Sequence, residues 1–361
     1  MISYWVDRPS RFGIDDYLAT RGAPVVDRFV VRLYEDLETC VQVPTGGHIF
    51  TALDRVTPAG VALATELCDR IAEAAPAAPR LNDPRRVLRR GPLLHALAAA
   101  GLNDFRAWPA DGPLGTVRFP AFVRMANCHT GSLTELLDSP AALRQALRAL
   151  QFRGTRRQDL LVVEYLHTAD EQGRFRKYSA YRVGGTMVRT HMFCGHAWSL
   201  KSARDEADVA AVREMHDYVT GNQHEAWLWQ VFELAGIGFG RADYALANGR
   251  PQLWEINLTP TMCRAPGAPA REAAPEVKAI RAEARAFAHA RLREALAALD
   301  RSGPPLQASV QLPAALIDRF RAERQSAARR QAVLVTLSRL FTSRPLRWPV
   351  RALYGRKLPR R

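Results

Sequence analysis

Residues 241 to 257 read RADYALANGRPQLWEIN, and the Asn-Gly pair at 248–249 constrains the fold more than any other feature of the chain. Both central positions of the tightest hairpin turn need positive φ, which Asn and Gly tolerate, so the flanking runs are expected to pair as antiparallel strands. Side chains two apart on a strand share a face, which puts Arg241 with Asp243 and Glu255 with Asn257. If the two faces coincide, two carboxylates, an amide oxygen and a guanidinium converge. The plain alternative is a solvated strand face with an Arg241–Asp243 pair, which is common on hairpins and contributes little.

The chain around this hairpin has 361 residues, enough for a large core and two or three subdomains. No apolar run approaches the length of a membrane span, and the start MISYWVDRPSRF has neither a basic leader nor an apolar core segment. A cytoplasmic location is therefore the expectation. Five cysteines, Cys40, Cys68, Cys128, Cys194 and Cys263, stand far apart without a CxxC pair, which argues against a disulfide framework or a zinc cluster. The net charge of +15 is unevenly distributed. Residues 319–361 hold 13 Lys and Arg against one acid, Glu323, which leaves 38 basic and 35 acidic residues elsewhere. The body is nearly balanced, and the tail is basic.

Three textures follow one another along the chain. Up to about residue 115, a strand candidate RFVVRLY (28–34) mixes with helical patterns at 58–75 and 92–101, the first opened by Thr57-Pro58, a good N-cap and first-turn pair. This predicts an N-terminal α/β domain. From about 116 strand patterns dominate: TVRFPAFVRMA, then LLVVEYLH (160–167), then FRKYSAYRVGGTMVRTHMF (175–193), a hairpin around Gly184-Gly185. The intervening GSLTELLDSPAALRQALRAL reads as helical, with Ser132 and Glu135 at capping-box spacing, so that Gly131 would lie in a loop feeding a helix N-terminus. Residues 205–235 and 270–299 also read as helical, and no internal repeat is evident.

In this order the elements resemble the ATP-grasp superfamily, whose members hold ATP between two α+β lobes. The resemblance runs over roughly residues 80–262. FPAFVRMANCHTGS (119–132) looks like the family's strand ending in a phosphate-contacting base, followed by its Gly-containing phosphate loop; LLVVEYL looks like the interlobe strand that contacts adenine; FRKYSAYRVGG resembles the strand pair carrying a second phosphate-binding lysine; and RADY…LWEIN resembles the magnesium strands. The implied fold class is α+β: ATP-grasp lobes at 116–272, preceded by an N-terminal α/β domain at 1–115 and followed by C-terminal helices at 273–318 and the basic tail at 319–361. The sequence departs from the family in three places. Lysine is commoner where Arg124 stands, Thr261 follows Pro260 where a Gly is usual, and the upstream segment NDPRRVLRR (82–90) offers only arginines near the nucleotide. Arginine still binds phosphate, bidentately and with permanent charge.

The resemblance implies ATP and Mg2+, with Mn2+ as a substitute, as cofactors of an ADP-forming ligase. Its carboxylate substrate, small molecule or peptide, would be activated as an acyl phosphate for attack by an amine or, second, a thiol. Asp243, Glu255 and Asn257 offer the hard oxygens magnesium prefers. Arg124 and Lys177 would contact phosphates while the Thr130-Gly131-Ser132 loop closes over them through its amides. Glu164, in an otherwise apolar run, would accept from the adenine amino group, with the backbone near Leu166 reading the ring edge; alternatively it faces outward on a half-exposed strand. Arg241 would stabilise charge during phosphoryl transfer. His191 and His196 read as packing residues or substrate contacts. Two rival readings stay open. One is an inactive ATP-binding regulatory protein on the same fold. The other is a protein led by its tail, whose apolar residues at helical spacing (Leu316, Phe320; Val333, Leu337, Leu340) alternate with arginines before Trp348 and Tyr354. Such a tail suits an anionic membrane surface, a nucleic acid or an acidic protein, or else is a packed helix followed by a solvated arginine run. The oligomeric state cannot be read from the sequence.

Overall fold

The computed structural model describes residues 1–128, 131–200, 208–263, 273–300 and 307–342. The N-terminal part is a parallel sheet of β1 (Ile2–Val6), β2 (Phe29–Leu33), β4 (His48–Phe50) and β5 (Arg80–Leu81) in the order β2-β1-β4-β5. Strand β1 is buried along its whole length, as expected for a central parallel strand. Helices α1 (Phe12–Ala19), α2 (Pro58–Ala74) and α3 (Arg90–Ala99) flank this part of the chain, with β3 (Cys40–Pro44) before β4. The Thr57 side chain accepts from the Gly60 amide at the start of α2, the N-cap the sequence indicated.

A small antiparallel sheet follows, β6 (Ala107–Pro109), β8 (Leu160–Glu164) and β7 (Ala121–Met125), ordered β6-β8-β7. With α4 (Pro140–Phe152) it has its own core of Val123, Leu143, Leu147 and Val162. The expectation of a helix from Ser132 is corrected here. Residues 132–137 bridge back antiparallel to β7, Leu133 N to Val123 O at 2.7 Å and Leu137 N to Ala121 O at 2.7 Å. The edge of β7 thereby gains partners that a helix at 132 could not supply. Helix α4 starts at Pro140, behind Ser139, whose hydroxyl accepts from Ala142 N. Likewise LLVVEYLH is strand only as far as Glu164.

The larger sheet has the order β10-β9-β11-β12 and is antiparallel throughout, from β9 (Phe175–Val183), β10 (Thr186–Gly195), β11 (Phe239–Ala247) and β12 (Arg250–Asn257). The Asn248-Gly249 turn has the expected geometry, φ +50° and +76°. The helical stretch expected at 205–235 is two helices, α5 (Val209–Thr220) and α6 (Glu225–Ala235), separated at Gly221 and at His224, whose φ is +61°. Helix α7 (Pro275–Ala297) packs on α5 and β10. Its Leu292 and Leu296 share a core with Tyr4 and Ile49 of the parallel sheet and with Tyr181 and Phe239 of the larger one. The chain then returns to its start. Strand β13 (Gln307–Gln311) pairs with β3, and α8 (Ala314–Thr342) lies on α2.

Two buried asparagines fix the ends of the central hairpin. Asn82 donates to Phe50 O at 2.9 Å and to Phe239 O at 2.8 Å while accepting from the amides of Gly238 and Phe239. Asn103 does the same for both backbone groups of Leu253. Such complete satisfaction of buried amides rigidifies a junction. The parallel sheet and α3 thus hold β11 and β12 in register, and that register builds the site.

Candidate active site

Asp243 on β11 lies directly opposite Glu255 on β12, and Arg241 opposite Asn257. The polar residues of the hairpin therefore share one face, and a register shift between Asp243 and Tyr244, which skips Trp254, is what brings the two pairs of the sequence onto it. A neighbouring strand extends the row. Ser179 on β9 pairs with Asp243 on one side and His191 of β10 on the other. Its hydroxyl donates to Asp243 Oδ1 at 2.8 Å. Lys177, two residues before Ser179 on the same face, places Nζ 3.3 Å from Asp243 Oδ2, and Arg241 Nε reaches Asp243 Oδ1 at 2.9 Å. Burial by itself would raise the Asp243 pKa, but the charges of Arg241 and Lys177 prevail and hold it below the ordinary carboxylate value. Arg241 is likewise held more firmly protonated by Asp243 against the opposing effect of burial.

Glu255 joins this sheet to the rest of the molecule. Its Oε2 accepts from Arg124 Nη2 at 2.6 Å and from Arg90 Nη2 at 2.5 Å, so β7 of the small sheet and the first residue of α3 meet on one carboxylate. The three side chains are only 13%, 10% and 6% exposed for Glu255, Arg124 and Arg90. Arg90 Nη1 also donates to the carbonyls of Met125, Ala126 and Cys128, pinning the turn that leads from β7 towards Gly131. Burial and then the charge of Arg124 lower the Arg90 pKa, with Glu255 opposing. The Nε of Arg124 is buried without a hydrogen-bond partner among the described residues, a donor that an anionic ligand would satisfy. Arg90 was present in the sequence only as one of several arginines in NDPRRVLRR. What singles it out is a helix first turn aimed at a strand 165 residues away.

The remaining expected residues fall as follows. Gly131 has φ +84°, a backbone that favours glycine, and Ser132 bonds within its own turn to Thr134; Thr130 lies outside the described residues. Asn257 is buried and its Oδ1 accepts from Thr259 N at 2.9 Å. Leu166 follows the end of β8, half-buried beside Tyr165. His191 lies against the cluster with its pKa lowered to about 3, by burial first and by Arg241 and Lys177 against Asp243, so it is neutral, and its ring packs tilted against Phe193 at 4.5 Å.

Glu164 is corrected. Its Oε1 accepts from Arg118 N, and its Oε2 accepts from Arg106 N, Arg118 Nε and Arg118 Nη2, all at 2.7–3.0 Å. The carboxylate is buried and committed to the chain on either side of β6. It is neither an outward-facing residue nor a free acceptor for a base.

Four cations (Arg90, Arg124, Lys177, Arg241) thus face two carboxylates (Asp243, Glu255), and the balance stays positive when Asp54, whose charge acts on Arg90, is counted. A site of this sign attracts a polyanion. Among the described residues no group of three or more His, Cys, Asp or Glu could hold a metal by itself. Two carboxylates with an amide oxygen suit magnesium when an incoming ligand supplies further oxygens.

The sequence matches no protein-family model and no curated protein. Among solved structures, the chain is similar to a D-alanine–D-alanine ligase from Bacillus anthracis, at 11% identity over 81% of this chain and 98% of that one, TM-score 0.43. It is similar to the D-alanine–D-alanine ligase from Coxiella burnetii at 12% over 92% and 99%, TM-score 0.43. An L-amino acid ligase from Bacillus licheniformis gives 11% over 82% and 73%, TM-score 0.40.

Proposed function

We propose that this chain is an ATP-grasp type ligase that uses ATP and magnesium to activate a carboxylate as an acyl phosphate for attack by an amine, with a thiol as the second choice of nucleophile. The observation that carries the reading is Glu255 held between Arg124 and Arg90 while Asp243, opposite it, is held by Lys177 and Arg241. In the free chain these ion pairs satisfy a buried polar cluster. With a nucleotide present the same four cations would face its phosphates, releasing the two carboxylates.

Magnesium held by Asp243, Glu255 and Asn257 would neutralise phosphate charge. The substrate carboxylate attacks the γ-phosphorus as the bond to ADP breaks; the amine then attacks the acyl carbon, phosphate leaves, and the amine proton passes to solvent. Arg124, Arg90 and Lys177 bind and orient the anionic groups. Arg241, fully protonated beside Asp243, stabilises the charge that develops on the transferred phosphoryl and on the departing phosphate. Splitting the condensation in this way turns a poor leaving group into a good one.

Calorimetry of ATP binding with and without magnesium, on the protein and on Glu255→Gln, tests the reading. The expected result is magnesium-enhanced binding in the protein and loss of the enhancement, but not of ATP binding, in the variant. Mass spectrometry for ADP in the presence of pooled carboxylates and amines then finds the substrates. Binding without turnover in any pool would favour a regulatory ATP-binding protein, and absence of ATP binding would refute both.

A further inference from the structure

Among the residues of helix α8 whose burial is described, those docked on the body lie at its beginning. Ile317 and Phe320 are buried, and the Phe320 ring lies so close over Gly60 of α2 that a Cβ there would meet it at 2.8 Å. Glu323 Oε2 accepts from Ala59 N at 2.9 Å, Arg324 Nη2 reaches Glu35 Oε1 at 2.9 Å, and Arg321 Nη2 donates to Leu37 O at 3.2 Å. From 325 to 330 every residue except the half-buried Ala327 is exposed, although the helix continues to Thr342. From Gln325 to the helix end at Thr342 the rise is roughly 27 Å, and the first turns of this stretch stand clear of the body.

The sequence from there on has a consistent character. No acidic residue follows Glu323, eleven Lys and Arg do, and Val333, Leu334, Val335, Leu337, Leu340 and Phe341 precede Trp348 and Tyr354. We propose that helix α8 from Gln325 on and the residues after it form a docking surface for an anionic lipid bilayer. Charge complementarity selects an anionic partner. Aliphatic residues at helical spacing, followed by aromatic residues among arginines, favour a lipid interface over a nucleic acid, which needs the charge but not the aliphatic row. Among the described residues no helix is long and apolar enough to cross a membrane, so this one lies on the surface. The inference is independent of the chemistry at Asp243 and Glu255.

Co-sedimentation of the full chain with vesicles tests it. Binding is expected to phosphatidylcholine vesicles containing phosphatidylglycerol, not to phosphatidylcholine alone, and to weaken with salt. Arg329→Glu with Arg330→Glu should weaken it roughly tenfold or more. Leu337→Ser with Leu340→Ser, which keeps every charge, should weaken it comparably, with the thermal midpoint of the body unchanged in both variants. Absence of vesicle binding, equal binding by the leucine variant, or tight duplex DNA or RNA binding that ignores the leucine pair while vesicles are ignored would each overturn the proposal.

Discussion

Replacing Glu164 by glutamine separates a structural carboxylate from a ligand-binding one. The native side chain accepts four hydrogen bonds, from the amides of Arg106 and Arg118 and from two nitrogens of the Arg118 guanidinium. A glutamine turns one oxygen into an NH2 that must face a donor, so at least one part-buried amide loses its acceptor, at about 1–3 kcal/mol. The ion pair adds less, because Arg118 is 64% exposed and screened by water. The expected loss is about 3 kcal/mol in Glu164→Gln and under ~1 kcal/mol in Arg118→Ala, where both amides keep their acceptor. Burial would raise the Glu164 pKa, but Arg118 and the two amides depress it overall. Its stabilisation is therefore present above the unfolded carboxyl pKa and is lost as pH falls through the lower folded value. Urea unfolding at neutral and acid pH, with ATP affinity measured in the same samples, decides the matter. A Glu164→Gln protein of native stability that binds ATP at least tenfold more weakly would refute the structural assignment and restore this carboxylate to the nucleotide.

Three further outcomes follow from other contacts. Glu255→Gln removes the carboxylate between Arg90 and Arg124, both about nine-tenths buried or more, so the free protein should lose about 3 kcal/mol, and pyrophosphate should restore more thermal stability to the variant than to the native chain. Gly60→Ala drives a methyl into Phe320 and Val56, which predicts a loss of about 1–3 kcal/mol in thermal unfolding and freer proteolysis of α8. His48 is fully buried, accepts from Trp5 Nε1 and donates to Pro44 O, and burial pushes its pKa down to about 4. The unfolded chain binds more protons between that value and about 6.5, so stability falls as pH drops through this window, by about 2 kcal/mol from pH 7 to pH 5, and the fall should shrink in His48→Gln.

Much of this architecture could be read locally. The Asn-Gly turn set the pairing of β11 with β12 as far as Tyr244 opposite Leu253, because turn chemistry is short-range, but the opposition of Asp243 to Glu255 depends on a register shift that skips Trp254 and that no turn signal marks. Thr57-Pro58 opened α2 by the same short-range chemistry. Where the sequence misled, a long-range partner overrode the local signal. Ser132 carried the capping-box spacing, but the free edge of β7 took the residues from Ser132 on, and α4 starts behind Ser139 instead. Glu164 stood out as a lone carboxylate in an apolar run, but the run alone suggests an adenine acceptor or an outward-facing residue, because its partners at 106 and 118 lie in irregular chain that no periodicity marks.

The cluster at Glu255 shows the same limit in a form that bears on function. Arg90 and Arg124 are 34 residues apart in sequence, one at a helix start and one inside a strand, and neither spacing nor amphipathic pattern relates them. What relates them is the cost of burying two guanidiniums: each needs an anion, and Glu255 is the carboxylate that the fixed hairpin presents to both. A buried pair of this kind is poor evidence of stability, since apolar residues of equal volume would serve the fold as well. Under the proposed function the cluster has a further use, an exchange in which an incoming polyanion would take over the arginines and free the carboxylate for a cation.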